Sequence, residues 1–146
     1  MDAADVIERL GMRPHPEGGW YAETWREPAP DGERPASSAI HFLLAAGETS
    51  HWHRIDATEI WHFSVGAPIE LSIAADDQAP VERFRLGPDL AAGERPQVVV
   101  PAGWWQAARS LGPWTLVGCT VAPAFEFAGF ELAGPGWSPG RRPTRP

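Results

Sequence analysis

The sequence predicts an all-β protein, either a sandwich or a small barrel, with one short helix at its N-terminus. Short β-type runs alternate with Pro- and Gly-containing turns along most of the 146 residues. Many short strands separated by turn signals are typical of these two architectures. Helical spacing is convincing only over residues 2–10, where Val6, Ile7 and Leu10 share a face and Gly11 can end the helix.

Ten segments are predicted as strands. They are residues 20–26, 38–44, 49–53, 59–65, 69–75, 81–86, 97–100, 105–109, 114–121 and, as a short addition, 130–132. No internal repeat is visible, so we predict a single domain over residues 1–133. Residues 134–146 form a Gly-, Pro- and Arg-rich tail that is expected to wrap the surface or stay mobile, with Arg141, Arg142 and Arg145 in solvent.

Composition and charge exclude several classes of protein. The net charge of −7 argues against nucleic acid as a partner. No apolar run reaches the length of a membrane span, and the N-terminus lacks the basic start and apolar run of a signal peptide. The single cysteine, Cys119, is expected to be a small buried core residue in a reducing cytoplasm, with a reactive thiol as the alternative.

The histidines carry the first chemical signal, since four of the five fall between residues 41 and 62. Two residues apart on a predicted strand, His51 and His53 are expected to project from the same face. After a turn over residues 54–58, Glu59 opens the next strand and can lie opposite them in an antiparallel hairpin. Two imidazoles and a carboxylate on one inner face are most of a metal site. The alternative is a chance HxH pair or an exposed polar face.

Two sequence phrases resemble the motifs of the cupin superfamily. GETSHWHRIDATEIWHFSVG resembles the first motif, which is a glycine-led strand with HxH, then a glutamate, then six residues and a glycine. Glu59 and Gly66 keep the spacing between that glutamate and that glycine. The turn before Glu59 is one residue longer than usual. GERPQVVVPAGWWQ resembles the second motif through Pro101 and Gly103, but Gln106 stands where a third histidine ligand would be.

More narrowly, the chain resembles a small cupin branch catalogued as a domain of unknown function. The shared phrases are HPEGGWYAETWR, SSAIHFLL, SHWHRIDATEIWHFSVG, VPAGWWQAAR and LVGCTVAPAFEFAGFEL, which lie within roughly residues 10–132. The resemblance implies a double-stranded β-helix, that is, a jelly-roll barrel, usually as a homodimer, and it implies no settled reaction. It also implies that His53 rather than His51 is the dependable histidine.

Gln106 leaves metal binding open, because an amide oxygen is a weaker and harder ligand than imidazole. The candidate ligands His51, His53, Glu59 and Gln106 could hold Zn, Fe, Ni or Mn with open positions, or no metal binds. Without a metal, His53 beside Glu59 could move a proton on or off a carbon acid near neutral pH. The structural alternative is a buried pair that only holds the hairpin together.

Strand alternation predicts the rest of the pocket. If Glu59 faces inward, His62 faces outward. Side chains on the same inner face would suit a flat ligand or would simply fill the barrel. The segment HPEGGWY adds two candidates at the barrel mouth. The predicted pocket residues are Trp61, Phe63, Trp104, Gln106, Glu17 and Tyr21.

Three functions are compatible with these residues. The first is an isomerase, epimerase or lyase acting on a small carbohydrate-like or carbonyl metabolite, with His53 as general base or metal ligand, Glu59 as ligand or orienter, and Gln106 binding the substrate or completing the coordination. The second is a metal-dependent oxygenase, since two histidines and a carboxylate suit iron. The third is a small-ligand-binding module without catalysis. Neither nucleic acid nor membrane is expected as a partner.

Overall fold

The computed structural model describes residues 1–140, and it confirms an all-β jelly roll with one N-terminal helix. Arg141, Arg142 and Arg145 lie outside the described residues. The elements are α1 (Ala3–Leu10), β1 (Arg13–Pro14), β2 (Trp20–Arg26), β3 (Ser38–Ala45), β4 (Thr49–Ile55), β5 (Thr58–Gly66), β6 (Ile69–Ala74), β7 (Glu82–Leu86), β8 (Gln97–Val100), β9 (Trp105–Ser110), β10 (Trp114–Ala122) and β11 (Phe130–Leu132).

The strands form two antiparallel sheets. One sheet has the order β1-β2-β3-β10-β5-β8, and the other has the order β11-β4-β9-β6-β7. Neighbours in the sheets are mostly not neighbours in sequence: β10 pairs with both β3 and β5, and β9 pairs with both β4 and β6. The interior therefore combines residues that lie far apart along the chain.

The helix α1 is defined by signals at both of its ends. The side chain of Asp2 accepts a hydrogen bond from the backbone N–H of Asp5, and the Asp5 side chain accepts one from the N–H of Asp2. At the other end, Gly11 adopts the left-handed conformation, with φ of 61°. Val6 is buried and packs with Leu43 and Leu116, which attaches the helix to the larger sheet.

The predicted hairpin between His53 and Glu59 is wrong. Strand β4 continues to Ile55, and only Asp56 and Ala57 separate it from β5. The two strands then join different sheets, since β4 pairs with β9 and β11 while β5 pairs with β10 and β8. His53 and Glu59 consequently approach the same interior from two sheets, instead of lying side by side in one.

The barrel interior changes character along the strands. On β3, β5 and β10, the inward residues at one end line a cavity, and those further along pack into an apolar core. We call these regions the cavity half and the packed half. The packed half contains Phe42, Leu44, Trp61, Ile69, Leu71, Ile73, Leu86, Val98, Val100, Ala108 and Val117.

The described part of the C-terminal tail lies against the outer surface of the smaller sheet. The ring of Trp137 lies 4.5 Å from that of Trp105, and the N–H of Gly140 donates to the carbonyl of Asp77. Trp105 is thereby buried beneath the tail. Within residues 1–140, no helix is both long enough and apolar enough to span a bilayer.

Candidate functional site

A cavity of about 300 Å³ lies in the cavity half of the barrel. This volume is at the lower end of the range for ligand pockets, so it suits a small molecule. Polar groups and aromatic rings contribute to the same wall. The lining residues include His15, Glu17, Tyr21, Arg26, His53, Glu59, Cys119, Phe125, Phe127 and Phe130.

The loop between β1 and β2 places Glu17 in this cavity. Its backbone carbonyl accepts a hydrogen bond from the N–H of His51 at 2.8 Å, which holds the loop against β4. The following Gly18 has φ of 110°, and a side chain at this position would clash with the carbonyl of Thr49. Glycine is therefore required for the close approach that brings Glu17 beside His53.

Glu17 and His53 form a buried ion pair, with 2.7 Å between Glu17 Oε2 and His53 Nε2. Burial alone would favour the neutral forms of both groups. The charge and hydrogen bond of His53 outweigh burial and lower the pKa of Glu17, and those of Glu17 likewise raise the pKa of His53. His53 also donates from Nδ1 to the carbonyl of His51 at 2.8 Å. Both of its N–H groups are thus engaged.

Glu59 lies on the other sheet in a different electrostatic state. Burial, followed by the negative charge of Glu17, raises the pKa of Glu59 to about 7, although the charge of His53 and the hydrogen bond from Gln106 act in the opposite direction. Gln106 Nε2 donates to Glu59 Oε1 at 2.8 Å, while Gln106 Oε1 accepts from Trp61 Nε1 at 2.7 Å. These two hydrogen bonds fix the orientation of the Glu59 carboxyl group.

The cavity therefore contains two carboxyl groups with different protonation. Glu17 is ionised and paired, whereas Glu59 can take up or release a proton close to neutral pH. Two such groups whose pKa values are driven apart by their surroundings are typical of acid–base sites. Cys119 lines the same wall, but burial and then the charge of Glu59 raise its pKa well above the usual value, so the thiol stays protonated.

The prediction that His51 and His53 share a face is wrong. The pairing of β4 with β9 shifts between Ser50 and His53, so that β4 carries one extra residue there. This bulge reverses the alternation on which the prediction relied. His51 Nε2 instead bonds the carbonyl of Gly134 at 2.9 Å, in an exposed position outside the cavity.

The predicted pocket residues divide into two groups. Glu17 and Tyr21 do line the cavity. The other four do not line it. Trp61 is buried in the packed half, Phe63 and Trp104 pack against that half, and Gln106 is buried between Trp61 and Glu59. These four fill and stiffen the barrel. His62 points outward as predicted, where its ring bonds Thr120 and Gln97.

Sequence reasoning missed His15 and the aromatic wall. Phe125, Phe127 and Phe130 form a cluster with ring centroids 4.9–6.0 Å apart, and Phe130 lies 5.7 Å from the ring of His53. The phrase AFEFAGFEL was visible as a run of aromatics near the C-terminus. Only the pairing of β11 with β4, however, brings it to the cavity.

The predicted metal ligands His51, His53, Glu59 and Gln106 do not fit a transition metal. His51 lies outside the cavity, both ring nitrogens of His53 are engaged, and the Gln106 oxygen is bonded to Trp61. Within residues 1–140, no cluster of three or more His, Cys, Asp or Glu side chains could hold a metal ion. Neither the oxygenase chemistry nor any other metal-dependent step can be derived from these residues.

Two solved structures share both sequence and fold with this chain. A protein from Shewanella oneidensis is 40% identical, with a TM-score of 0.85, over 91% of this chain and 85% of that one. A hypothetical protein from Leishmania major is 30% identical, with a TM-score of 0.82, over 91% and 88%. No curated protein matches the sequence.

Oxalate decarboxylase from Bacillus subtilis, a protein with Mn(II) centres, shares the fold alone. It is 14% identical, with a TM-score of 0.62, and the match covers 82% of this chain but 29% of that one. The family profile of the cupin superfamily (DUF985) matches residues 4–133. Together with the similar structures, this match confirms the resemblance read from the motifs: the chain belongs to the cupin superfamily, in the family DUF985.

Proposed function

We propose that this cupin is an enzyme of the isomerase or epimerase type, which moves a proton at a carbon atom next to a carbonyl group. The observation that carries the proposal is Glu59, a carboxyl group with a pKa of about 7 on the wall of a ligand-sized cavity. A catalytic acid–base group works best when its pKa is close to the operating pH. The lyase reaction predicted from the sequence remains within the same acid–base chemistry.

In the proposed reaction, ionised Glu59 removes a proton from the substrate carbon. The electron pair of the C–H bond passes into the new carbon–carbon double bond, and the carbonyl oxygen takes on the negative charge of an enolate. Once the enolate has turned its other face toward Glu59 within the cavity, protonated Glu59 returns the proton to the same carbon from that face; the carbonyl group forms again, and the configuration at the carbon is inverted. The net reaction is an isomerisation, so it requires no oxidant, reductant or second substrate.

The remaining polar groups position Glu59 and set its proton affinity. The charge of Glu17 raises the pKa of Glu59, and Gln106 holds its carboxyl group in one orientation. His53, predicted from the sequence as general base or metal ligand, is assigned a different role, because its Nε2 proton is directed at Glu17. We propose that His53 keeps Glu17 ionised and in place. Glu59, rather than His53, is the proposed base.

Ligand-dependent thermal stabilisation, screened over sugars, keto acids and aromatic metabolites, identifies candidate substrates. For each one, exchange of the hydrogen next to the carbonyl is followed by proton NMR in D2O. We expect catalysed exchange with the wild type and a loss of about 10²–10⁴-fold with Glu59→Gln. Glu70→Gln is the control, because Glu70 pairs with Arg109 outside the cavity.

Exchange that survives in Glu59→Gln would contradict the assignment of the base. Stabilising ligands that show no exchange with any variant would favour the non-catalytic binding module instead. Exchange that disappears after chelation, and returns when a metal is added, would contradict the metal-independent route. Elemental analysis of protein purified without an affinity tag would measure directly whether a metal is bound.

A further inference from the structure

His15 is a buried cavity residue that the proposed reaction does not yet use. Its side chain is 6% exposed and lines the same cavity as Glu59. Aromatic rings enclose it: the ring of Tyr21 lies at 4.8 Å, that of Phe130 at 5.9 Å and that of Phe127 at 6.3 Å. A polar ring held in such apolar surroundings needs a reason other than packing.

The hydrogen bonding of His15 determines which ring nitrogen carries the proton. The backbone N–H of Glu17 donates to His15 Nδ1 at 3.1 Å, so Nδ1 is unprotonated and the proton is on Nε2. The 3.9 Å between Nδ1 and Glu17 Oε2 is therefore not an ion pair. Burial, with the charge of His53, lowers the pKa of His15 despite the opposing charge of Glu17, which keeps the ring neutral. Within residues 1–140, no group accepts a hydrogen bond from Nε2.

The charges around the cavity indicate what this donor can bind. Among the described lining residues, the two cations are already paired: His53 with Glu17, and Arg26 with Glu23 and the carbonyl of Phe125. No cation on this wall is left to neutralise a phosphate or carboxylate group of a ligand. The site therefore favours an uncharged molecule.

We propose that His15 Nε2–H binds the carbonyl oxygen of an uncharged substrate whose flat apolar part packs against Phe125, Phe127 and Phe130. This inference rests on the proposed function, because it supplies the donor that proton removal by Glu59 requires. When the enolate forms, its oxygen becomes negative, and a fixed donor at that atom stabilises the charge. A neutral imidazole serves here, since it donates without protonating the oxygen first.

Acetophenone and benzoate form a matched pair of probes, with the same ring but a neutral ketone in one and an anion in the other. Their affinities are measured by NMR titration of the wild type, His15→Asn, His15→Gln and the outer-face control His62→Asn. Asn can replace Nδ1 as the acceptor for Glu17 but does not reach the position of Nε2, whereas the Gln amide N–H does. We expect acetophenone to bind more tightly than benzoate, and His15→Asn to weaken acetophenone about fivefold. His15→Gln restores most of the affinity, and His62→Asn changes nothing.

Tighter binding of benzoate, equal binding of acetophenone by His15→Asn, or no detectable binding of acetophenone would overturn the inference. Nitrogen-15 shifts of the His15 ring provide an independent check, since a proton on Nδ1 would also overturn it. Binding that depends on His15 in a protein that exchanges no substrate hydrogen would contradict only the proposed function. Exchange that depends on Glu59 but is unchanged in His15→Asn would contradict only this inference.

Discussion

The two halves of the barrel interior use the same strands for opposite purposes. On β10, Val117 lies in the packed half, while Cys119 and Val121 line the cavity; on β5, Trp61 is fully buried, while Glu59 faces the cavity two residues earlier. The packed half is apolar and gains stability from burial and close contact. The cavity half holds buried titratable groups, among them Glu17, His53 and Glu59, and such groups cost stability unless they are paired.

The difference shows that this fold confines the buried titratable groups, which lower its stability, to one half of the barrel interior. Gln106 lies at the boundary, bonded to Trp61 on one side and to Glu59 on the other. The packed half thus orients the Glu59 carboxyl group of the cavity half through the side-chain amide of Gln106. Such coupling of a precise site to a packed scaffold is what proton transfer at a fixed position requires.

Glu17→Gln is the change expected to disturb the cavity half most. It removes the charge that keeps buried His53 protonated, and an unpaired buried charge costs about 3–5 kcal/mol. Burial then dominates at His53, so its pKa falls instead of rising. Urea unfolding measures the loss of stability, which should be greatest at acidic pH, where His53 is forced to carry a proton. Equal stability of the variant and the wild type at pH 5–6 would contradict the ion pair.

Leu71→Ala tests the packed half. Leu71 has no exposed surface, and truncation of such a residue leaves a cavity that costs about 2–5 kcal/mol. The matched change at the cavity rim is Phe127→Ala, where 55% of the residue is exposed and the expected loss is about 1 kcal/mol or less. Acetophenone binding should respond in the reverse order, weakening in Phe127→Ala but not in Leu71→Ala. Equal losses of stability would remove the distinction between the halves.

The pH dependence of stability isolates Glu59. The folded-state pKa of about 7 lies above the usual 4.5, so the folded protein binds this proton more tightly than the unfolded chain. The resulting stability is fully present below about pH 4.5 and is lost as the pH rises through 7. A rise of this size corresponds to about 3 kcal/mol. The stability of the wild type relative to Glu59→Gln should therefore fall by about that amount between pH 4.5 and 8, in urea unfolding at each pH.

Gln106→Leu tests the link between the halves, with the smallest expected effect. Loss of the amide leaves the N–H of Trp61 unpaired, at a cost of about 1–3 kcal/mol. The hydrogen bond from Gln106 lowers the pKa of Glu59, so its loss should raise that pKa further above 7. Carbon-13 NMR of the Glu59 carboxyl group measures the change. A lower pKa in this variant would show that Gln106 does not act on Glu59 as described.

Local signals predicted the strands well, because alternation and turn residues act over a few positions. Segments 20–26, 97–100 and 130–132 coincide with β2, β8 and β11, and the other predicted strands differ at their ends. The membership of Glu59 in the site was also predictable, because its spacing from Gly66 follows a known motif, although the turn that precedes it is one residue longer than usual.

The contacts inside the site were not predictable in the same way. The bulge that turns His51 away depends on how β4 pairs with β9, which no local pattern records. His15 and Phe130 lie near opposite ends of the chain, yet their rings are 5.9 Å apart, and the ring of Phe130 lies 5.7 Å from that of His53. Glu17, chosen only as a residue of the barrel mouth, proves to be the partner of His53 because Gly18 allows its loop to approach β4.

The titration of Glu59 tests the central claim most directly. In protein labelled with carbon-13 at the glutamate side chains, one carboxyl signal, absent from Glu59→Gln, should titrate with a midpoint of about pH 7, while the pKa of Glu17 should lie below its ordinary value because of the charge and hydrogen bond of His53. A Glu59 midpoint close to 4.5 would contradict the account, because a carboxyl group with an ordinary pKa would be a weak base at neutral pH.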